Sequence, residues 1–134
     1  VNGVIGGLNK QNPKDFGNNL ICNISDPDLV ERAKQENKTR AQMSMRIAAS
    51  EMNGGILVIG NAPTALLEVI KMIREGVTKP ALVIGIPVGF VSAAESKEDL
   101  QTIDIPFITN TGRKGGSSCA ASIVNALFKL LREN

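Results

Sequence analysis

Three polar, glycine-containing loops carry the residues of this sequence that could bind a charged ligand. They span residues 60–64, 87–92 and 110–118, and each follows an apolar run and precedes a predicted helix. The N-terminus of a helix presents unpaired N–H groups and the positive end of its dipole, which favour an anion. Arg113 and Lys114 add two cations to the last loop. This pattern is typical of a site for a ligand with several carboxylates or phosphates.

The same loops have a plainer interpretation, because Gly and Ser are common turn and capping residues. Three such loops at one edge, with Gly115 and Gly116 allowing close backbone approach, favour the binding site. The stretch 112–118 lacks the spacing of a phosphate-binding P-loop, and no GxGxxG dinucleotide motif follows a strand. A small domain that binds nucleotides or sugar phosphates through the same helix N-termini is a second interpretation.

The composition excludes several kinds of chemistry. The 134 residues include no histidine, which removes Ser-His-Asp and Cys-His nucleophiles and the usual zinc and haem sites. The net charge is only +2 and the four Phe are the only aromatic residues, so a nucleic-acid partner is not expected. Neither a signal peptide nor a membrane span is visible, and we expect a cytoplasmic protein without a membrane partner. Cys22 and Cys119 are predicted to be unbridged thiols, with Cys119 buried.

Hydrophobic patterning predicts the elements that position the loops. Nearly continuous apolar runs, typical of strands buried on both faces of a parallel sheet, lie at 56–59, 81–86 and 106–109, with an edge strand at 20–24. Helices are predicted at 29–36, 38–52, 63–75, 92–103 and 117–131. The alternation predicts a single α/β domain with three layers, α/β/α, around a mainly parallel sheet. In such a sheet, ligands bind beyond the carboxyl ends of the strands.

Four further polar side chains have structural interpretations, and for one of them, Arg40, a functional interpretation is also open. Arg40 lies in the first turn of a predicted helix, where the dipole disfavours a cation, and is either a surface residue or a bidentate anion ligand. Ser92 and Glu95 have the spacing of a capping box, which accounts for Glu95 without a ligand. Lys97 is predicted to be solvated.

The loops, taken together, resemble the precorrin-8X methylmutase family, and most closely its cobalt-precorrin-8 branch. The resemblance rests on GNAPTAL at 60–66, PVGFVSAAESK at 87–97 and GRKGGS at 112–117, with shorter matches at 7–10, 26–27, 39–40 and 124–127. It implies an isomerase of cobalamin biosynthesis that moves a methyl group from carbon 11 to carbon 12 of a (cobalt-)precorrin-8 tetrapyrrole. It also implies a homodimer with sites at the subunit interface. No cofactor is expected, and any cobalt would arrive inside the substrate.

The resemblance also implies a set of substrate-binding residues. Asn9 occupies a position close to the substrate, Arg40 would contact the macrocycle or its carboxylates, and the first loop would pack against the ring. Arg113 and Lys114 would hold carboxylates together with the helix N-terminus that follows them. The full set is Asn9, Arg40, Gly60, Asn61, Thr64, Arg113, Lys114, Gly116 and Ser117.

The family's catalytic residue is a histidine upstream of the stretch that matches Val1, so no catalytic residue is expected in this chain. The abrupt start at Val1 favours an N-terminally incomplete form of an ordinary methylmutase. The alternative is a relative without the catalytic segment, which would bind or carry a tetrapyrrole without turnover.

Overall fold

A computed structural model describes residues 27–89 and 91–133. The helices are α1 (Pro27–Gln35), α2 (Arg40–Ile47), α3 (Ala49–Met52), α4 (Pro63–Arg74), α5 (Ala93–Leu100) and α6 (Ser117–Glu133). The strands are β1 (Ile56–Ile59), β2 (Leu82–Gly85) and β3 (Phe107–Ile108). The strand predicted at 20–24, Cys22 and Asn9 lie outside the described residues.

The three strands form a parallel sheet in the order β1-β2-β3. Ile59 is the register partner of Gly85, and Ile84 is the partner of Ile108. The apolar runs are continuous because helices cover both faces of such a sheet. Burial is most complete in β2, where Val83 and Ile84 are fully buried, whereas Ile56 at the start of β1 is exposed. Because the strands are parallel, their carboxyl ends lie at one edge, and the predicted α/β class is confirmed.

Successive residues of the strands face different helical layers. Ile59 and Val83 pack into a core with α4 and α5 on one face of the sheet. Val58 and Ile86 pack against Ala120 of α6 on the opposite face. The described part of the chain therefore has the predicted α/β/α layers, with β2 in the middle of the sheet.

Residues 38–52 form two helices rather than the single predicted helix. The Thr39 side chain accepts a hydrogen bond from the Gln42 amide at 3.1 Å, and the Gln42 side chain accepts one from the Thr39 amide at 2.9 Å. This capping box starts α2. The helix is interrupted at Ala48, with φ −83° and ψ 3°, and the Thr78 hydroxyl donates to the Ala49 carbonyl at 2.9 Å where α3 begins.

A buried carboxylate, Glu68, joins α2 to α4. Only 4% of its side chain is exposed, and it accepts hydrogen bonds from Lys38 and Arg46; Arg46 also contacts Glu75 at 3.1 Å. Burial alone would raise the pKa of Glu68, but the hydrogen bonds from Arg46 and Lys38 outweigh burial and hold the pKa below its ordinary value. We refer to Lys38, Arg46, Glu68 and Glu75 as the Glu68 cluster. Lys38, before α2, meets the middle of α4 at Glu68, whereas Ala49, after α2, meets Thr78, which follows α4, so α2 and α4 run in the same direction.

The first turns of α6 pack on the sheet through alanines. Ala120 and Ala121 are buried, whereas Cys119 is exposed, so the prediction of a buried Cys119 thiol is wrong. The small alanine side chains let α6 approach the sheet and turn the thiol to the outer side. Leu131, near the end of α6, is 55% exposed. None of the helices in the described ranges is long and apolar enough to cross a membrane.

Candidate functional site

Hydrogen bonds join two of the loops that follow the strands, and close backbone contact brings the third against them. The loops are the β1–α4 loop (60–62), the β2–α5 loop (86–92) and the β3–α6 loop (109–116). The Gly116 amide donates to the Ile86 carbonyl at 2.9 Å, and the Gly89 amide donates to the Arg113 carbonyl at 3.1 Å. The β3–α6 loop is thus bonded to its neighbour at two points. The predicted convergence of these loops at the carboxyl edge is present in the structure.

Two glycines are needed where the loops approach one another. A Cβ atom on Gly60 would lie 2.8 Å from the Cα of Ser117. A Cβ atom on Gly115, which has φ +155°, would overlap the carbonyl oxygen of Ile86. Any larger residue at either position would push the backbones apart. The glycines of the GNAPTAL and GRKGGS stretches therefore set the backbone spacing at this edge.

Lys97 of α5 is fully buried beneath the β3–α6 loop, with a relative exposure of 0%. Its ammonium group donates to the Gly112 carbonyl at 3.0 Å and to the Lys114 carbonyl at 2.6 Å. The prediction of a solvated Lys97 is wrong. The missed signal is its spacing: Ala93, Ser96, Lys97 and Leu100 recur at i, i+3, i+4 and i+7, and all four are buried.

Burial determines the electrostatics of Lys97. Removal of the ammonium from water lowers the pKa of Lys97, and the electrostatic interaction with Cys119 acts in the opposite direction. In the described part of the chain, its hydrogen-bond acceptors are backbone carbonyls, and no carboxylate forms an ion pair with it. We refer to Lys97 and its two acceptors, the carbonyls of Gly112 and Lys114, as the Lys97 clamp.

Ser92 does not cap α5 in the predicted way. Its backbone is left-handed, with φ 66° and ψ −4°, and its side chain makes no capping hydrogen bond to a described residue. A capping Ser needs an extended backbone to bring its hydroxyl over the first turn of the helix. The Ser92 carbonyl accepts a hydrogen bond from the Ser96 amide at 2.9 Å instead, and Glu95 is exposed in the first turn.

Most of the predicted binding residues lie at this edge. The backbones of Gly60, Gly116 and Ser117 form the close contact, and Asn61 is exposed beside it. Thr64 is half-buried in the first turn of α4. The set at the edge comprises Gly60, Asn61, Thr64, Arg113, Lys114, Gly116 and Ser117.

Arg40 is positioned by a different helix. It is exposed at the first residue of α2, as predicted, and its helix starts at the same end of the fold as α4 because the two run in the same direction. No hydrogen bond or ion pair joins Arg40 to the three loops within the described ranges. Arg40 is thus an outlying member of the predicted set, and Asn9 lies outside the described residues.

Two apolar side chains stand among the polar groups of the site. Val88 is 40% exposed and Val91 is 81% exposed, and both lie on the β2–α5 loop. The Val88 side chain lies 3.6 Å from the position that a Cβ atom of Gly116 would occupy. The edge therefore offers a nonpolar surface next to the exposed Arg113 and Lys114. Sequence reasoning about charge alone did not find this surface. No cluster of three acidic or cysteine side chains suited to a metal occurs among the described residues.

Comparisons with known proteins agree with this arrangement. The precorrin-8X methylmutase family model matches residues 1–130. The chain is 58% identical over 121 residues to a cobalt-precorrin-8 methylmutase of Priestia megaterium, covering 90% of this chain and 54% of that protein. It is 49% identical over 135 residues to one of Leptospira interrogans, covering 95% and 61%. A crystal structure of precorrin-8X methyl mutase from Thermus thermophilus matches with a TM-score of 0.90 and 38% identity, covering 99% of this chain and 64% of that one.

The chain spans between 54% and 64% of the length of these three relatives. Its similarity to them extends over nearly all of its own residues and includes the three loops. The resemblance seen in the loop sequences is therefore confirmed, and the chain belongs to the precorrin-8X methylmutase family.

Proposed function

We propose that this protein acts in the isomerisation of (cobalt-)precorrin-8, in which a methyl group moves from carbon 11 to carbon 12 of the tetrapyrrole. The observation that carries the proposal is the meeting of three loops at the carboxyl edge, two of them hydrogen-bonded and the third in close backbone contact, with the Arg113 and Lys114 side chains exposed beside them. Tetrapyrroles of this class carry several acetate and propionate groups. Their carboxylates match the cations and the N-terminus of α6, where an anion is favoured.

The methyl shift requires the protein to position the substrate and to stabilise charge, and it requires no co-reactant. The bond from the methyl group to carbon 11 breaks as the bond to carbon 12 forms, so the atoms balance within the substrate. A fixed ring conformation and stabilised charge on the rearranging π-system lower the barrier. We assign carboxylate binding to Arg113, Lys114 and the start of α6, and contact with the macrocycle to the β1–α4 loop, Val88 and Val91.

We propose that the chain's own residues bind and orient the substrate, because the 134-residue sequence has no histidine to serve as the family's acid. Asn9 and Arg40 are proposed to contact the macrocycle or its carboxylates. We further propose a cytoplasmic homodimer. Sedimentation at several protein concentrations tests the dimer, and a monomer at every concentration contradicts it.

Binding and turnover are tested separately. The full chain is titrated with cobyrinic acid, which has the product skeleton of this isomerisation, and binding is measured by the absorbance of the corrin. The chain is then incubated with cobalt-precorrin-8, and turnover is measured. We expect Arg113→Ala and Lys114→Ala each to weaken binding by about tenfold, the effect of losing one charge-assisted hydrogen bond. Lys79→Ala is the matched control, because Lys79 is an exposed lysine just before β2, at the opposite edge of the sheet.

The outcomes separate the candidate functions. Binding with turnover supports the isomerase. Binding without turnover supports a tetrapyrrole-binding or carrier protein. If cobyrinic acid does not bind, or if Lys79→Ala weakens binding as much as Lys114→Ala, the proposed site is wrong.

A further inference from the structure

We infer that Lys97 is a positioning residue for carboxylate binding, which holds the turn at residues 112–114 so that Arg113 and Lys114 face the ligand. The inference rests on the proposed function, because that function assigns carboxylate binding to the Arg113 and Lys114 side chains of the turn. It deepens that function by adding a buried residue that does not itself reach the substrate.

The backbone of the turn is held at three successive carbonyl groups. Lys97 binds the carbonyl before Arg113 and the one after it, at Gly112 and Lys114. The carbonyl of Arg113 itself accepts from the Gly89 amide. The side chain of Asn110 also donates to the Lys114 carbonyl, at 2.9 Å. With its carbonyls bound on the protein side, the turn leaves the Arg113 and Lys114 side chains exposed.

Burying the charged side chain of a lysine lowers fold stability more than burying an apolar side chain of similar size. A charged group taken out of water destabilises the fold unless hydrogen bonds or an opposite charge compensate it. Ala93, Ser96 and Leu100 share the buried face of α5 with Lys97 and show that small or apolar side chains fit there. What an apolar residue could not provide is an N–H donor directed at two carbonyls on either side of Arg113. The placement of the ammonium is therefore explained by the loop rather than by core packing.

The test is a double-mutant cycle read by cobyrinic acid binding to the full chain. Lys97→Met keeps the length of the side chain and removes its donors and charge. We expect it to weaken binding by about tenfold in the wild-type background. In an Arg113→Ala/Lys114→Ala background, we expect the same change to have an effect of less than about twofold, because the groups that Lys97 positions are absent.

The matched control is Ser96→Ala. Ser96 is equally buried on α5, but its hydroxyl donates to the Ala93 carbonyl within the same helix rather than to the loop. We expect it to leave the affinity unchanged. An equal loss from Lys97→Met in both backgrounds would mean direct contact or a long-range charge effect and would overturn the inference. So would wild-type affinity in Lys97→Met, or a loss of the same size in Ser96→Ala. If Lys97→Met does not fold, Lys97→Gln carries the same comparison.

A second measurement without ligand separates this inference from the proposed function. Amide hydrogen exchange reports the Gly89 and Gly116 N–H groups, which bond across the loops. Lys97→Met is expected to speed their exchange by about tenfold, while amides of α4 keep their protection. Failure of the wild-type chain to bind cobyrinic acid, with faster exchange at these two amides, would remove the proposed ligand and keep Lys97 as the residue that holds the loop. Unchanged exchange would overturn the positioning role whatever the chain binds.

Discussion

Glu68 and Lys97 are two buried charged residues on adjacent helices, and they are compensated in opposite ways. Glu68 on α4 accepts hydrogen bonds from two cations, Lys38 and Arg46, that belong to the α2 region. Lys97 on α5 donates to two neutral backbone carbonyls of a loop. Opposite charges keep the pKa of Glu68 below its ordinary value despite burial, whereas burial lowers the pKa of Lys97.

The difference separates fold stability from site geometry. The Glu68 cluster joins two helices of the same layer and lies on the side of α4 that faces α2, so it contributes to how the layer is assembled. The Lys97 clamp joins a helix to a glycine-rich turn whose residues 112–114 are exposed. Its ammonium lacks a carboxylate partner among the described residues and so contributes less to stability. We expect the two sites to respond differently to substitution.

The largest effect is expected on the loop side, at Gly115. Gly115→Ala would place a Cβ atom against the Ile86 carbonyl at a φ of +155°, and we expect a loss of about 3 kcal/mol of unfolding free energy. Gly112→Ala is the matched control: its φ is +84° but no atom lies within 4 Å, so about 1 kcal/mol is expected. Urea unfolding measures both. Equal losses would show that the contact between the loops is not tight.

Glu68→Gln is expected to cost about 2 kcal/mol of unfolding free energy at pH 7, because it leaves Lys38 and Arg46 without their buried partner. Glu75→Gln is the control, since Glu75 is 44% exposed and meets only Arg46, and about 0.5 kcal/mol is expected. Cobyrinic acid affinity should be unchanged in both variants. If Glu68→Gln weakened binding as Lys97→Met does, the distinction between the two buried charges would be lost.

The contribution of Glu68 should depend on pH. Its pKa is lowered in the folded protein, so the unfolded chain binds the proton more tightly. The stabilisation is therefore present above the ordinary pKa of 4.5 and is lost as the pH falls below that value through the folded pKa. The difference in unfolding free energy between wild type and Glu68→Gln should shrink between pH 6 and about pH 3. A difference that stays constant over this range would contradict the assignment.

Local patterns were enough to predict the layers and the edge at which the three loops lie. The apolar runs at 56–59, 81–86 and 106–109 contain the three parallel strands, as their nearly continuous nonpolar sequence predicts. Pro63 starts α4 as predicted, since a proline in the first turn gives up no helical hydrogen bond. Once the strands were parallel, the three loops had to lie at one edge.

The errors came from contacts between distant residues. The interruption at Ala48 lies where Thr78, 29 residues beyond Ala49, bonds the start of α3. Ser92 and Glu95 have the right types and spacing for a capping box, but the β2–α5 loop gives Ser92 a left-handed backbone. The error at Lys97 is of a different kind, because its spacing with Ala93 and Leu100 is a local signal of the buried face of α5. The sequence does not show which backbone carbonyls the β3–α6 loop places beside the Lys97 ammonium group.

Lys97→Met is expected to have a small effect on stability. The substitution removes two hydrogen bonds but also the cost of burying the ammonium, so we expect a change within about 1 kcal/mol at pH 7, while corrin binding weakens. Because the pKa of Lys97 is lowered in the folded state, wild type should gain stability relative to Lys97→Met as the pH rises towards the ordinary value of 10.5. Parallel urea unfolding of the two proteins at pH 7 and pH 10 measures this difference. A loss of about 2 kcal/mol or more at pH 7, as large as that expected for Glu68→Gln, would place Lys97 beside Glu68 as a residue that holds the fold together.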